Sequence, residues 1–267
     1  MVLSKSQKER YSRQIKLTPV GITGQERILQ GKVLIVGVGG IGSPLALYLA
    51  AAGVGKMGLV DSEKIELNNL QRQIIHSTKE MGSPKVDSAR AKITSLNPEV
   101  KVKTYKTRLT AQNVLEIIQG YDIICDCTDN FPARYLINDV CVLSNKPLVH
   151  ASVLGFDGQI MTIVPKKGPC YRCLYPEPPP PSAETSCRQA GVLGTSAGVV
   201  GVVASHEILK LILRIGQPLM GRLLVFNGLD SSFKTVEVRR QVGCAVCSAK
   251  PTIKKLIDYE VFCQMRP

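Results

Sequence analysis

A glycine-rich turn between a short apolar strand and an apolar helix constrains the fold of this chain more than any other feature. The β-branched run Val33–Val36 leads into the turn, whose Gly-x-Gly-x-x-Gly spacing is made by Gly37, Gly39 and Gly42. Residues 43–52 follow as a helix rich in Ala and Leu. Such glycines let the backbone approach a phosphate at the N-terminus of a helix. The sequence therefore predicts a nucleotide-binding α/β unit, with a glycine turn that binds no ligand as the alternative.

Alternating strands and helices continue to about residue 151. Strands are predicted at 57–60, 100–105, 122–125 and 147–151, with helices at 84–96, 111–119 and 133–144 between them. We expect Ser83 to cap the helix that begins at Pro84. This alternation predicts a Rossmann-like, doubly wound and mostly parallel sheet, which suits a chain with 44% hydrophobic but only 5% aromatic residues.

The pattern changes after residue 151. Strands predicted at 158–164, 223–225 and 233–238 have short links and should extend the sheet in antiparallel fashion. Tyr175–Ser182 is too rich in proline for a helix or a central strand, so we expect an exposed loop. The apolar run Ala197–Ile215 is interrupted by charged residues, which predicts a buried helix and no membrane span.

We expect one α/β domain over residues 1–267. It would comprise an N-terminal helical segment (1–30), a nucleotide-binding core (31–151) and a second half (152–267) with a loop at about 175–190. The polar N-terminus lacks the apolar stretch of a secretory signal, so a cytoplasmic protein is expected.

Four of the nine cysteines form two Cys-x-x-Cys pairs. Cys170 pairs with Cys173, and Cys244 with Cys247. Thiolates at this spacing take adjacent corners of a tetrahedron, and two pairs complete a closed four-sulfur shell. The sequence therefore predicts a structural zinc (Zn²⁺) site, with buried free thiols as the alternative.

The chain is basic, with a net charge of +13 from 34 Lys and Arg against 21 Asp and Glu. This balance favours an anionic ligand or an acidic partner. The sequence has no basic stretch interleaved with aromatic residues and no nucleic-acid motif, so we expect no nucleic-acid partner.

The residues after the second predicted strand bear on which nucleotide would bind. Asp61, at the end of that strand, is placed to hold ribose hydroxyls, as in nicotinamide and flavin dehydrogenases. The next segment supplies amides and cations: Asn68, Asn69, Gln71, Arg72, Gln73 and Lys85. A triphosphate carries about four negative charges, and leaving pyrophosphate gains more, so positioned cations favour ATP. Alternatively, Arg72 and Lys85 are solvated surface charges and the chain is an NAD- or flavin-dependent oxidoreductase.

An acidic motif follows the strand predicted at 122–125. Asp129 lies where open α/β sheets bind ligands, and its carboxylate could hold Mg²⁺, which prefers oxygen ligands. Asp129 or Asn130 could equally cap the helix that follows. The residues alone leave both interpretations open.

Seven short blocks carry a family resemblance. They are Arg10–Ile15, the glycine turn, Asn69–Gln73, Gly82–Lys85, Asp126–Asn130, Cys170–Cys173 and Gly243–Cys247, and they span nearly the whole chain. In this order they resemble the MoeB/ThiF/HesA adenylyltransferases, relatives of ubiquitin-activating enzymes. The resemblance implies adenylation by ATP of the C-terminal glycine of a small ubiquitin-like sulfur carrier with a Gly-Gly end. Pyrophosphate would leave, and the product would serve sulfur incorporation into thiamin or molybdopterin.

The resemblance also implies roles for individual residues. Residues 152–267 would be the carrier-binding half, with 175–190 as its crossover loop. Asp61 would bind the ribose and Asp129 would hold Mg²⁺. The phosphate ligands would be Gly39, Gly40, Gly42, Asn69, Arg72 and Lys85, and the rest of the candidate nucleotide site would be Gly37, Asn68, Gln71, Gln73 and Asn130.

Other implied features concern partners. Arg13 would reach the ATP of a second subunit, because the family forms homodimers. Cys187 is a candidate for a covalent link to the carrier, since Arg188 beside it would lower its pKa; the alternative is a loop thiol. Sulfur is expected from a separate cysteine desulfurase or rhodanese-type protein.

Two further expectations complete the interpretation. A scaffold that docks a ubiquitin-like tail without catalysis would require a missing ATP-contact residue, and none is missing. The three histidines, His76, His150 and His206, show no partner pattern in the sequence and are expected to be structural.

Overall fold

A computed structural model describes residues 2–179 and 191–264. Its strands are β1 (Lys32–Val36), β2 (Lys56–Val60), β3 (Lys101–Tyr105), β4 (Ile123–Asp126), β5 (Leu148–Leu154), β6 (Asp157–Ile163), β7 (Arg222–Asn227) and β8 (Ser232–Glu237). They form one eight-stranded sheet in the order β3-β2-β1-β4-β5-β6-β7-β8. Strands β1 to β5 run parallel, and β6, β7 and β8 each pair antiparallel with the strand before. The predicted parallel sheet with an antiparallel extension is confirmed.

Helices cover both faces of the sheet. They are α1 (Lys5–Arg10), α2 (Ser12–Ile15), α3 (Gly21–Gln30), α4 (Gly42–Ala52), α5 (Lys85–Leu96), α6 (Val114–Gln119), α7 (Phe131–Leu143), α8 (Tyr171–Leu174), α9 (Gly194–Leu213) and α10 (Tyr259–Gln264). Two short 3₁₀ turns, Leu67–Asn69 and Thr78–Glu80, lie between β2 and α5.

Alternate residues of the central strands enter two separate cores. In β1, Val33 and Ile35 belong to the core that includes apolar residues of α4, α5 and α9. Leu34 and Val36 face the other way, into the core that includes α6, α7 and four clustered cysteines. Because both faces of β1 are covered, its sequence is continuously apolar, as is typical of a buried parallel strand.

Helix α9 is the one helix in the described ranges that is long and apolar enough to cross a membrane. It packs on the sheet and on α4, with Ala197, Val200, Ala204 and Ile208 fully buried. The long apolar run is therefore a core helix, as its interruption by charged residues predicted.

The start of α5 differs from the prediction. Pro84 is not the first helical residue: its φ of −59° and ψ of 131° are extended, and Ser83 makes no side-chain cap. Pro84 pairs with Lys64 in an isolated β-bridge, which keeps its backbone extended. The helix consequently begins one residue later, at Lys85.

The proline-rich segment is described only as far as Pro179. Residues 175–179 contain no helix or strand, as predicted, but Pro178 is buried. The rest of the expected crossover loop, including Cys187, lies outside the described residues.

Candidate nucleotide site and metal site

The predicted nucleotide ligands converge on one edge of the sheet. The glycine turn follows β1, Asp61 follows β2, and residues 127–130 follow β4. Because these strands are parallel neighbours, their carboxyl ends meet at the same edge. This edge is where open α/β sheets bind ligands.

The glycine turn is held by close backbone approaches that exclude side chains. Gly37 has a φ of +90°, and a Cβ there would lie 2.7 Å from the carbonyl oxygen of Cys127. A Cβ at Gly42 would lie 2.1 Å from the carbonyl oxygen of Gly37. The turn is thus packed between the exit of β4 and the first turn of α4, so that the helix N-terminus faces the ligand edge.

Asp61 is bonded directly to the glycine turn. Its Oδ2 accepts the backbone N–H of Val38 at 2.9 Å, and its Oδ1 accepts the N–H of Glu63 at 2.9 Å. Burial raises the pKa of Asp61, while these bonds and the charge of Lys85 oppose the rise. Asp61 therefore shapes the turn, and each carboxylate oxygen has a further lone pair for a ribose hydroxyl.

Arg72 lies against the turn. A Cβ at Gly40 would be 3.3 Å from Cγ of Arg72, so the stem of this side chain covers the glycine. The guanidinium donates to the carbonyl oxygen of Asn68 at 3.0 Å. This bond uses one of the five N–H groups of the guanidinium. The others remain able to donate to a phosphate.

Lys85 is a buried cation with an exposed partner. Its side chain is only 3% exposed, and Nζ lies 2.5 Å from Oε2 of Glu63, whose side chain is 68% exposed. The exposed carboxylate of Glu63 can be solvated by water at little cost in free energy, whereas the ammonium group of Lys85 is buried. The predicted alternative of a solvated surface charge is therefore wrong for Lys85, because its side chain is out of water.

Of the amides in this segment, Gln73 lies at the glycine turn, while Asn69 and Gln71 contact other residues. Asn69 is buried and donates from Nδ2 to Oδ1 of Asn68 at 2.6 Å. Nε2 of Gln73 lies 3.7 Å from the position of a Cβ at Gly39, and its Oε1 is buried with no hydrogen-bond partner in the described part of the chain. Gln71 is exposed, and its Nε2 is 3.5 Å from the carbonyl oxygen of Val192.

Asn130, and not Asp129, caps the N-terminus of α7. The side-chain oxygen of Asn130 accepts the N–H of Ala133 at 3.0 Å at the start of α7. Asp129 is exposed, and its Oδ1 lies 3.4 Å from Nδ2 of Asn130. Its carboxylate is therefore not used for capping, and an exposed carboxylate at the ligand edge fits a hard, oxygen-preferring cation such as Mg²⁺.

Asp126 and His150 form a buried pair that the sequence analysis missed. Nδ1 of His150 is 2.8 Å from Oδ2 of Asp126, and Oδ1 accepts both the N–H and the hydroxyl of Thr128. Burial acts to raise the pKa of Asp126, but His150, Arg134 and Thr128 together outweigh it through hydrogen bonds and charge and hold the pKa below its usual range. The pair fixes the turn that carries Asp129. The available signal was a polar residue at the end of β4 and another within the apolar strand β5, which pair in register.

Arg13 is not brought to the nucleotide site of its own chain. It is exposed on α2, and its neighbour Gln14 bonds to the carbonyl oxygen of Ala52, at the end of α4. The glycine turn is at the other end of α4, whose 11 residues span about 16 Å.

The four predicted zinc ligands form one buried cluster. Their sulfur atoms all lie within 4.8 Å of one another. The Sγ atoms of Cys170 and Cys244 are 3.6 Å apart, and those of Cys173 and Cys247 are 3.4 Å apart. A tetrahedral Zn²⁺ with Zn–S bonds of about 2.3 Å separates its sulfurs by about 3.8 Å. The donor set and its geometry therefore fit a closed structural zinc site.

A buried ion pair anchors this cluster to the sheet domain. Arg172, between the first two cysteines, donates from two nitrogens to Asp139 of α7, each at 2.8 Å. Tyr259 of α10 donates to the same carboxylate at 2.9 Å. Asp139 of α7 thus holds both the cysteine cluster and the C-terminal helix α10.

The edge of the sheet at the carboxyl ends of β1, β2 and β4, here called the nucleotide edge, offers backbone N–H donors, side-chain amides and two cations. Such a site can bind phosphates and stabilise the charge of a phosphate leaving group through positioning and electrostatics. The closed cysteine cluster has no open coordination position for catalysis.

Comparisons with known proteins concern the family and the fold. The model of the ThiF family matches residues 11–246. A sulfur carrier protein adenylyltransferase of Thermus thermophilus is 47% identical over 268 residues, which cover 98% of this chain and 99% of that protein. An adenylyltransferase and sulfurtransferase MOCS3 of Culex quinquefasciatus is 48% identical, over 99% of this chain but 60% of its own length. The crystal structure of E. coli MccB with ATP is similar in fold, with a TM-score of 0.80, 22% identity, and coverage of 92% of this chain and 75% of that one.

Proposed function

The chain belongs to the ThiF family, and from that premise we propose that it is an ATP-dependent adenylyltransferase that acts on a sulfur carrier protein. The carrier is a small ubiquitin-like protein that ends in Gly-Gly. Its terminal carboxylate oxygen attacks the α-phosphorus of ATP, the bond from that phosphorus to the β-phosphate bridging oxygen breaks, and pyrophosphate leaves. The product is an acyl-adenylate, a mixed anhydride that a sulfur nucleophile can cleave.

The observation that carries this proposal is the placement of two cations beside the glycine turn. Arg72 covers Gly40, and Lys85 is held out of water beside Asp61. A dinucleotide presents a diphosphate that a helix N-terminus can bind alone, whereas departing pyrophosphate needs further positive charge. The oxidoreductase alternative gives neither cation a role.

Two metal ions would complete the enzyme. Asp129 would hold Mg²⁺, which when bound supplies positive charge to the phosphate oxygens. The cluster of Cys170, Cys173, Cys244 and Cys247 would hold Zn²⁺ and stabilise the fold.

The chain's own residues position the reactants. The glycine turn and the first turn of α4 receive the phosphates, and Asp61 orients the ribose while it holds the turn. Arg72 and Lys85 neutralise the leaving group, and Asn68, Asn69, Gln71 and Gln73 contribute amides. No covalent step on the protein is required for adenylation.

We further propose that the enzyme works as a homodimer in which Arg13 serves the partner's ATP. The exposed position of Arg13, one length of α4 away from its own glycine turn, supports a role in a second subunit's site.

Sulfur for the activated carrier is proposed to come from a separate cysteine desulfurase or rhodanese-type protein. Eight of the nine cysteines are described, and all of these are buried. A buried thiol is poorly placed to accept and pass on sulfur. The names of the relatives give adenylylation and a sulfur carrier but no pathway, so incorporation of sulfur into thiamin and into molybdopterin are both proposed.

Carrier-dependent exchange of radiolabelled pyrophosphate into ATP tests the function directly. The wild-type protein should catalyse exchange with a Gly-Gly carrier and fail with a carrier truncated by those two residues. Arg72→Ala should lose exchange, while Arg90→Ala, an exposed arginine on α5, should retain it. Tight binding of NAD or a flavin without exchange would support the oxidoreductase instead.

A further inference from the structure

The buried imidazole of His76 joins two separate parts of the nucleotide edge. His76 is 7% exposed and lies between the glycine turn and α5. Its Nε2 is 3.2 Å from the carbonyl oxygen of Val38, and its Nδ1 is 2.9 Å from Oγ of Ser88. Both ring nitrogens therefore have partners within the protein.

These partners define the protonation of the ring. A carbonyl oxygen only accepts, so Nε2 carries the proton and donates to Val38, while Nδ1 accepts the hydroxyl of Ser88. Burial lowers the pKa of His76, which favours this neutral form. Both ring nitrogens contact groups of the protein itself, so neither is directed at a bound substrate.

Val38 is consequently fixed at both of its polar groups. Asp61 accepts its N–H, and His76 donates to its carbonyl oxygen. The carbonyl of Val38 shares a peptide plane with the N–H of Gly39, and in a trans peptide the two point in opposite directions. By binding the oxygen, His76 turns the Gly39 N–H away from the interior in which the imidazole lies.

The other nitrogen of His76 reaches the helix that carries Lys85. Ser88 follows Lys85 by three residues, so the two lie on one face of α5 at its first turn. The chain of bonds from Val38 through His76 to Ser88 thus sets the glycine turn relative to the buried cation.

We propose that His76 is a positioning residue for ATP: it aims the Gly39 N–H at the phosphates and holds the glycine turn in register with Lys85. The proposal rests on the proposed function, because ATP is the ligand concerned. It gives a specific role to a histidine for which the sequence suggested only a structural one.

Two isosteric substitutions separate the two bonds. The side-chain amide of Gln reaches the position of Nε2, so His76→Gln keeps a donor for Val38. The shorter amide of Asn reaches only the position of Nδ1, so His76→Asn keeps the bond to Ser88 and loses the bond to the turn. His206→Gln, at an exposed position on α9, is the matched control.

The assay is calorimetric binding of ATP with Mg²⁺ to the intact protein, together with the KM values for ATP and carrier in pyrophosphate exchange. His76→Asn should raise the ATP dissociation constant about tenfold, as expected for one lost hydrogen bond, and leave the KM for carrier unchanged. His76→Gln and His206→Gln should stay within about threefold of wild type.

The outcomes distinguish this proposal from the proposed function. Equal ATP affinity in folded His76→Asn and His76→Gln would overturn the positioning role, and so would a parallel loss of affinity for ATP and carrier. A wild-type protein that binds ATP but shows no exchange would instead contradict the proposed function. Should His76→Asn fail to fold, His76→Leu, which is apolar and loses both bonds, replaces it: an ATP dissociation constant clearly above that of His76→Gln with the carrier KM unchanged would support the proposal, and no such rise would overturn it.

Discussion

Replacing Lys85 by Met should abolish catalysis and leave the fold nearly unchanged. Met keeps the length of the side chain and removes its charge. In the structure the ammonium group is buried beside an exposed Glu63, and its charge acts on the half-buried Asp61. After the substitution Glu63 is solvated and Asp61 keeps its two backbone N–H donors, so no carboxylate is left without a partner.

The expected loss of rate follows from the position of the Lys85 ammonium group. One unit of charge developing on pyrophosphate about 4 Å from Nζ interacts with it by about 4 kcal/mol at an effective dielectric constant of about 20. Losing that interaction in the transition state slows adenylation by about a thousandfold. The pair with exposed Glu63 contributes at most about 1 kcal/mol to stability, so the free energy of unfolding should change by no more than that.

The assay is carrier-dependent pyrophosphate exchange, with urea unfolding of the same preparations. Lys79→Met, at an exposed lysine in the 3₁₀ turn Thr78–Glu80, is the matched control and should keep full exchange. Glu63→Gln should exchange at or above the wild-type rate, because it releases Lys85 from a competing carboxylate. A folded Lys85→Met protein with exchange within tenfold of wild type would refute the role given to this cation.

Three further predictions concern the cysteine cluster, the pair of Asp126 and His150, and Cys187. The purified protein should release about one Zn²⁺ per chain on unfolding, and Cys244→Ala should lose the metal and several kcal/mol of stability; unfolding without zinc release would indicate free thiols. His150→Leu should destabilise the protein by about 1–3 kcal/mol at pH 7 in urea unfolding. Because the folded pKa of Asp126 is held below 3.8, this stabilisation is present above pH 3.8 and lost as the pH falls through the folded pKa; a difference between the two proteins that grows as the pH falls below 3.8 would contradict it. Cys187→Ala should keep exchange and lose sulfur transfer to the carrier, and unchanged transfer would exclude a covalent role.

Local patterns in the sequence were enough to predict the sheet. Buried parallel strands are continuously apolar, and a glycine is required where the turn approaches Cys127. Both features can be recognised from residues that are neighbours in the sequence. The Cys-x-x-Cys pairs are equally local, since each pair spans one knuckle. The two pairs are separated by 70 residues, and only the fold brings them together. Because zinc prefers four ligands in a tetrahedron, the sequence already predicted that the pairs would share one site.

The wrong start of α5 and the missed histidine contacts have a common physical cause. Pro84 is an adequate first helical residue by local preference, but its bridge to Lys64 keeps it extended. His76 and His150 lack local partners because Val38 and Asp126 lie 38 and 24 residues away in the chain. Buried polar groups must be paired, yet the sequence does not say with which group.

The contrast between two buried cations shows why burial alone does not identify a functional residue. Arg172 is 2% exposed and Lys85 is 3% exposed, but the partner of Arg172 is the fully buried Asp139 and the partner of Lys85 is 68% exposed. Removing Arg172 would strand a buried carboxylate, which typically costs about 3–5 kcal/mol, so that cation is committed to structure. Glu63 loses nothing in water when Lys85 turns to another anion. A buried cation whose partner can be solvated is free to bind a phosphate, and in the described part of this chain that cation lies beside the glycine turn.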